Sequence, residues 1–199
     1  METARPSFDW NTYLWWASLT AVGNSMAVVV ISLAVSALRV TLFGATGDEQ
    51  ISPAAALISL VPIFAVGGAI VGFSQWIALR GLISRAGWWI LATAAGWMSG
   101  YLWAYMLFPP GSAMATYGAL ITPWLIFGLV SGVLQWLVLR PQYERAIWWI
   151  PTSLLAMAIG TTGLMIGGTF GGALMWLIAG AISGLILLRV LYPKPVAQG

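Results

Sequence analysis

The sequence has no cysteine and no histidine. Without cysteine there is no disulfide, no thiolate nucleophile and no Fe–S ligation, and nothing reports the redox compartment. Without histidine the commonest general base and metal ligand is gone. Charge is also scarce: 7% of residues are Asp, Glu, Lys or Arg, against about 25% in soluble domains. None of those charges falls near the middle of an apolar run, which argues against a coupled pump or a charged-ion channel. No acid stands beside a plausible nucleophile at depth, so intramembrane hydrolysis is not expected and the chain does not read as an enzyme. No metal site and no cofactor is expected; a porphyrin lacks its usual ligand, while a lipid or carotenoid-like molecule needs none.

What is present is apolar. Of 199 residues, 60% are hydrophobic, with 13 Trp and 23 Gly. A soluble core of this length cannot hide that much apolar surface, so the surrounding solvent is lipid. Six runs are long enough to span a hydrocarbon layer, at about 14–38, 53–79, 87–108, 117–139, 147–166 and 172–192. They lack the strict alternation of barrel strands, so they read as helices. The chain is expected to be all-α, a single transmembrane domain over 1–199 built as a polytopic six-helix bundle. The first run is too long for a signal-peptide core and reads as a retained helix. Arg5, Arg80, Arg85, Arg140, Arg145, Arg189 and Lys194 fall on one side, and only Arg39 on the other. The positive-inside rule then makes both termini cytoplasmic in a multi-pass protein of the cell membrane. The net charge of +3 reports this topology; no nucleic acid is expected as a partner. Nine Trp, among them Trp15, Trp16, Trp88, Trp89, Trp148 and Trp149, are expected as a belt at the cytoplasmic boundary.

One stretch occurs twice, 60 residues apart. Gly68-xxx-Gly72-xx-Gln75-Trp76-xx-Leu79-Arg80 is followed by Arg85 and Trp88-Trp89-Ile90; Gly128-xxx-Gly132-xx-Gln135-Trp136-xx-Leu139-Arg140 is followed by Arg145 and Trp148-Trp149-Ile150. The Trp pair occurs a third time at Trp15-Trp16. After the second Trp of each pair a hydroxyl follows at the fourth residue (Thr20, Thr93, Ser153) and a small residue at the seventh (Gly23, Gly96, Ala156), all on one helix face. Gly180-xxx-Gly184 extends the glycine pattern to the last run, where Leu187 and Leu188 replace Gln-Trp. Three pseudo-repeated helical hairpins follow as an expectation: second with third, fourth with fifth, sixth with first.

The doubled Gly-xxx-Gly-xx-Gln-Trp-xx-Leu-Arg pattern with its Trp-Trp-Ile resembles that of small polytopic membrane proteins of bacteria. The resemblance covers about residues 60–160 and implies a bacterial inner membrane. It brings no activity and therefore no functional residues.

The polar residues in the apolar runs are the candidate ligand contacts: Gln75, Gln135, Asn24, Ser99 and Thr161, with Trp97 at similar depth. Each has a bland alternative, since an amide or hydroxyl in lipid also serves as an inter-helix or back-to-helix hydrogen bond. Arg80, Arg85, Arg140 and Arg145 are candidates for an anion or lipid headgroup, or serve as ordinary topology signals. Two functions follow. The first is binding or transport of a small neutral or amphipathic, lipophilic molecule in an axial cavity. The second is a non-catalytic structural or accessory subunit of a larger membrane complex. Membrane lipids, and other membrane subunits in the second case, are the expected partners.

Overall fold

A computed structural model describes residues 9–43, 53–107 and 118–191. Among these there is no strand. Five long helices follow in order: α1 (Trp10–Phe43), α2 (Pro53–Leu79), α3 (Gly87–Leu107), α4 (Gly118–Leu139) and α5 (Trp149–Leu191). A 3-10 turn, Glu144–Trp148, leads into α5. The segments Trp10–Thr41, Leu57–Leu79 and Glu144–Leu191 are long and apolar enough to cross a membrane. The chain is a membrane protein on that basis.

Where the sequence predicts separate helices at 147–166 and 172–192, the structure has one continuous element, α5. It is not straight. A straight helix of 43 residues would reach about 65 Å. Instead the backbone leaves helical geometry at Gly167 (φ −123°, ψ 16°) and Gly168 (φ 57°, ψ −145°). Gly168 lies in a region that only a residue without Cβ occupies easily. Beyond it the chain turns back: Gly160 lies against the Trp176 ring, and Gly163 against the Gly171 carbonyl and Met175. α5 thus has two arms joined at a glycine reversal. The expected count of six separate helices becomes five elements, because the last two predicted runs follow each other directly through the non-helical Gly167–Gly168 reversal.

α1 is longer than the sequence run at both ends. Asp9 starts it: Oδ1 accepts from the backbone N–H of Asn11 (3.1 Å) and Thr12 (3.2 Å), and Oδ2 from the Thr12 hydroxyl. The Thr12 hydroxyl foremost, then these N–H groups, hold the Asp9 carboxyl below its ordinary range.

The helices form a closed ring. α1 packs on α2, α2 on α3, α3 on α4, α4 on α5, and α5 back on α1. Lipid tails are as apolar as leucine, so close backbone approach has to hold such a ring. A Cβ on Gly68 would come within 2.8 Å of Ala94 Cα in α3; one on Gly128 within 3.0 Å of Leu154 Cα in α5; one on Gly180 within 2.8 Å of the Ala17 carbonyl in α1. Side chains fill the axis in two layers. One, nearer the arginine-bearing connections, gathers Trp16, Leu79, Trp89, Leu139, Trp149 and Leu187. The other gathers Ala27, Val71, Trp97, Phe127, Met157 and Trp176.

Candidate functional site

Each Trp-Trp pair divides. Trp15, Trp88 and Trp148 face outward at 54%, 59% and 64% exposure, while Trp16, Trp89 and Trp149 are buried on the axis at 1%, 0% and 3%. Successive helical residues point about 100° apart, so one member can sit in the lipid interface only if the other turns in. Assigning both members to an interfacial belt is therefore corrected: half of each pair forms the plug of the bundle. The three inner indoles meet edge to face or tilted, with centroids 5.4–6.0 Å apart. Contacts of this kind contribute about 0.5–1.5 kcal/mol each beyond their area.

The plug is tied outward by its N–H groups. Trp89 Nε1 donates to Gln75 Oε1 (2.9 Å) and Trp149 Nε1 to Gln135 Oε1 (2.8 Å). Gln135 Nε2 donates to Thr93 Oγ1 (2.8 Å), and Gln75 Nε2 to Thr20 Oγ1 at a longer 3.4 Å. Thr93 in turn donates to the Trp89 carbonyl (2.8 Å). Each glutamine therefore bridges the helix before it and the helix after it. The third indole is held differently: Trp16 Nε1 donates to Ser183 Oγ (3.0 Å) on the second arm of α5. With both ends of each amide engaged by protein, Gln75 and Gln135 act here as inter-helix ties.

Between the two axial layers lies a chamber of about 50 Å³, lined by Asn24, Gln75, Thr93, Trp97, Ser131, Gln135 and Trp176 among others. It is far below the roughly 300–1,000 Å³ of small-molecule pockets. No ligand-sized cavity forms at Asn24, Gln75 and Gln135, because five indoles occupy the axis there. Four buried polar atoms lining the chamber have no protein partner: Asn24 Oδ1, Trp97 Nε1, Ser131 Oγ and Trp176 Nε1. An unpaired buried group costs about 1–3 kcal/mol. Thr161 lies elsewhere, in a 390 Å³ vestibule with Ile31, Phe64 and Trp124. Ser99 is half-buried and donates back to the Gly96 carbonyl (2.9 Å), outside both cavities.

The larger cavity is lateral. A groove of about 720 Å³ opens between α3 and α4, floored by Leu91, Ala92, Ala95, Leu134, Leu137 and Val138 and flanked by Trp88. Its rim is polar: Ser84, Arg85, Pro141 and Gln142. The rim is cross-braced. Gln142 accepts from the Ser84 N–H (2.9 Å) and donates to the Ser84 carbonyl (3.2 Å), and the Tyr143 hydroxyl donates to the Leu82 carbonyl (2.8 Å). Arg85 sits at φ 62°, the one described non-glycine residue with positive φ, a conformation that an L-residue adopts at a cost.

Comparison with protein-family models, with curated proteins and with solved structures finds no match to this chain. Any functional reading therefore rests on the geometry alone.

The four arginines do not share one role. Arg80 stands over the Trp76 ring (5.8 Å) and Arg140 over Trp136 (5.3 Å), a cation–π arrangement that anchors the ends of α2 and α4. Arg145 is exposed on the 3-10 turn. Arg85 lines the α3–α4 groove. Ser131, Gln142 and Tyr143 were not singled out from sequence as site residues. Ser131 was readable as the third residue after Gly128 on the packed face. Gln142 and Tyr143 carry no local signal, since their partners lie about 60 residues away.

Proposed function

We propose that this is a multi-pass protein of the cell membrane that holds one amphipathic, lipid-like molecule with an anionic head in the α3–α4 groove. The observation that carries the reading is the groove itself: an apolar floor of lipid-chain character beneath a rim where Arg85 is the cation. Its volume of about 720 Å³ lies within the range of small-molecule sites. A guanidinium at the membrane boundary suits a phosphate or carboxylate head. A strained backbone at Arg85, held by the Gln142 and Tyr143 braces next to it, is the kind of outlier that functional sites keep.

In this reading the chain crosses the bilayer six times, with the two arms of α5 counted separately, and both termini are cytoplasmic. The groove mouth then faces the cytoplasmic leaflet, where anionic lipids concentrate. The bundle is a pseudo-threefold array of hairpins: α2 with α3, α4 with the first arm of α5, and the second arm with α1. The recurring glycine contacts and the two glutamine bridges support that arrangement. The closed axis favours a second reading, an accessory subunit that offers only its outer surface.

Native mass spectrometry of protein extracted gently from its own membrane separates the two. Lipid binding predicts discrete adducts of an anionic lipid, reduced at least fivefold by Arg85→Gln and by the groove-filling Ala95→Phe. Adducts that persist unchanged in both variants would refute the groove. Co-eluting protein subunits without retained lipid would establish the accessory role.

A further inference from the structure

The axial chamber has a chemistry of its own, separate from the lateral groove. Its unpartnered atoms come from four helices: Asn24 Oδ1 from α1, Trp97 Nε1 from α3, Ser131 Oγ from α4 and Trp176 Nε1 from the second arm of α5. Asn24 and Trp97 are 1% and 0% exposed, Ser131 and Trp176 4% and 2%. The set is mixed. Two indoles can only donate, the amide oxygen can only accept, and the hydroxyl can do both. The Asn24 amide nitrogen is already engaged, donating to the Thr20 carbonyl at 2.8 Å.

We propose that the chamber is a hydration site, holding a small cluster of ordered water that joins these four helices across the axis. Water satisfies the whole set at once, because it accepts from both indoles and donates to the amide oxygen. A halide would satisfy the indoles and the hydroxyl but leave Asn24 Oδ1 facing a negative charge. A cation would meet two N–H groups. An apolar ligand would meet none of the four. The size agrees: a water needs at least about 10–15 Å³ and two to four polar partners, so a chamber of about 50 Å³ admits about two or three. Organic ligands beyond a few heavy atoms are excluded by volume. The helices that contribute these atoms include pairs whose backbones stay apart, such as α1 with α4. The water cluster thus supplies polar ties that the ring itself lacks, between the tryptophan plug on one side and the Trp97, Phe127 and Trp176 layer on the other.

The test is water-selective nuclear Overhauser spectroscopy on wild-type protein with ¹⁵N-labelled indoles, in micelles containing chloride. Resonances are assigned through contacts to neighbouring side chains such as Phe127 and Met157, so no variant is needed. The proposal expects persistent water cross-peaks at the indole N–H of Trp97 and Trp176. It expects none at Trp89, whose ring does not line the chamber and whose N–H is held by Gln75. Asn24→Leu, which removes the acceptor and fills its space, should weaken both cross-peaks at least twofold, while Asn24→Ala, which leaves room for a further water in place of the amide, should retain them. Absence of water cross-peaks at both indoles in wild-type protein overturns the proposal. So does a shift of those two resonances when bromide replaces chloride, which would make the chamber a halide site.

Discussion

Two junctions of the ring are closed by a glutamine and one by a serine. Gln75 and Gln135 each reach from one helix to an indole on the next and to a threonine on the previous one. Where the second arm of α5 meets α1, Ser183 Oγ accepts from the Trp16 indole and donates to the Gly180 carbonyl (3.2 Å), with no bridge to the first arm. The glutamine junctions tie three helices together, whereas the serine junction ties two. The difference follows from the residue at the matching position: Leu187 stands where Gln75 and Gln135 stand in the other two junctions, and it has no polar group to bridge with. An inter-helix hydrogen bond in lipid contributes about 0.6–2 kcal/mol, so the polar ties adjust the ring and the glycine contacts build it.

The largest effect should therefore come from the feature that all three junctions share. Gly68, Gly128 and Gly180 each face the backbone of the neighbouring helix at 2.8–3.0 Å from a would-be Cβ, and backbone cannot move aside as a side chain tip can. Gly68→Val, Gly128→Val and Gly180→Val should each cost about 3 kcal/mol or more, read as lost resistance to denaturing detergent. Tolerance of Gly180→Val alone would show that the α5–α1 junction is not built like the other two.

Next in size are the glutamines, and they should differ from each other. Gln135→Leu removes two bonds of 2.8 Å and leaves the Trp149 N–H without an acceptor in the core. Gln75→Leu removes one good bond and one at 3.4 Å. Detergent unfolding should give about 2 kcal/mol for the first and about 1 kcal/mol for the second. Equal losses would mean that the Thr20 and Thr93 bonds do not set the difference.

The same contrast shows what was legible in the chain. The apolar runs, their helical nature and the Gly-xxx-Gly faces could be read directly, because spacing on a helix fixes which residues share a face. The inward turn of Trp16, Trp89 and Trp149 was also available, since each begins a stripe that continues into Thr20, Thr93 and Ser153. It was masked by the general preference of tryptophan for membrane interfaces. The groove was not legible. It depends on how far α3 and α4 diverge, on a positive φ at Arg85 and on braces from Gln142 and Tyr143 to backbone groups of another connection. The size of the axial chamber was equally hidden, because it is what remains after five indoles have packed.

The smallest effect is the sharpest test of threefold construction. Leu187 stands seven residues after Gly180, as Gln75 does after Gly68 and Gln135 after Gly128. It is fully buried. On the preceding arm Ser153 donates to the Trp149 carbonyl (3.0 Å) as Thr93 does to that of Trp89, so an acceptor stands where a third amide would need one. Ser183→Ala should cost about 0.6 kcal/mol by freeing the Trp16 N–H. Leu187→Gln added to Ser183→Ala should recover that loss, with the Trp16 indole resonance returning to a hydrogen-bonded position. The rescue requires the α5–α1 junction to have the same geometry as the other two. A double variant less stable than Ser183→Ala would mean that the amide finds no partners there, and the bundle would then have two equivalent junctions and one distinct closure.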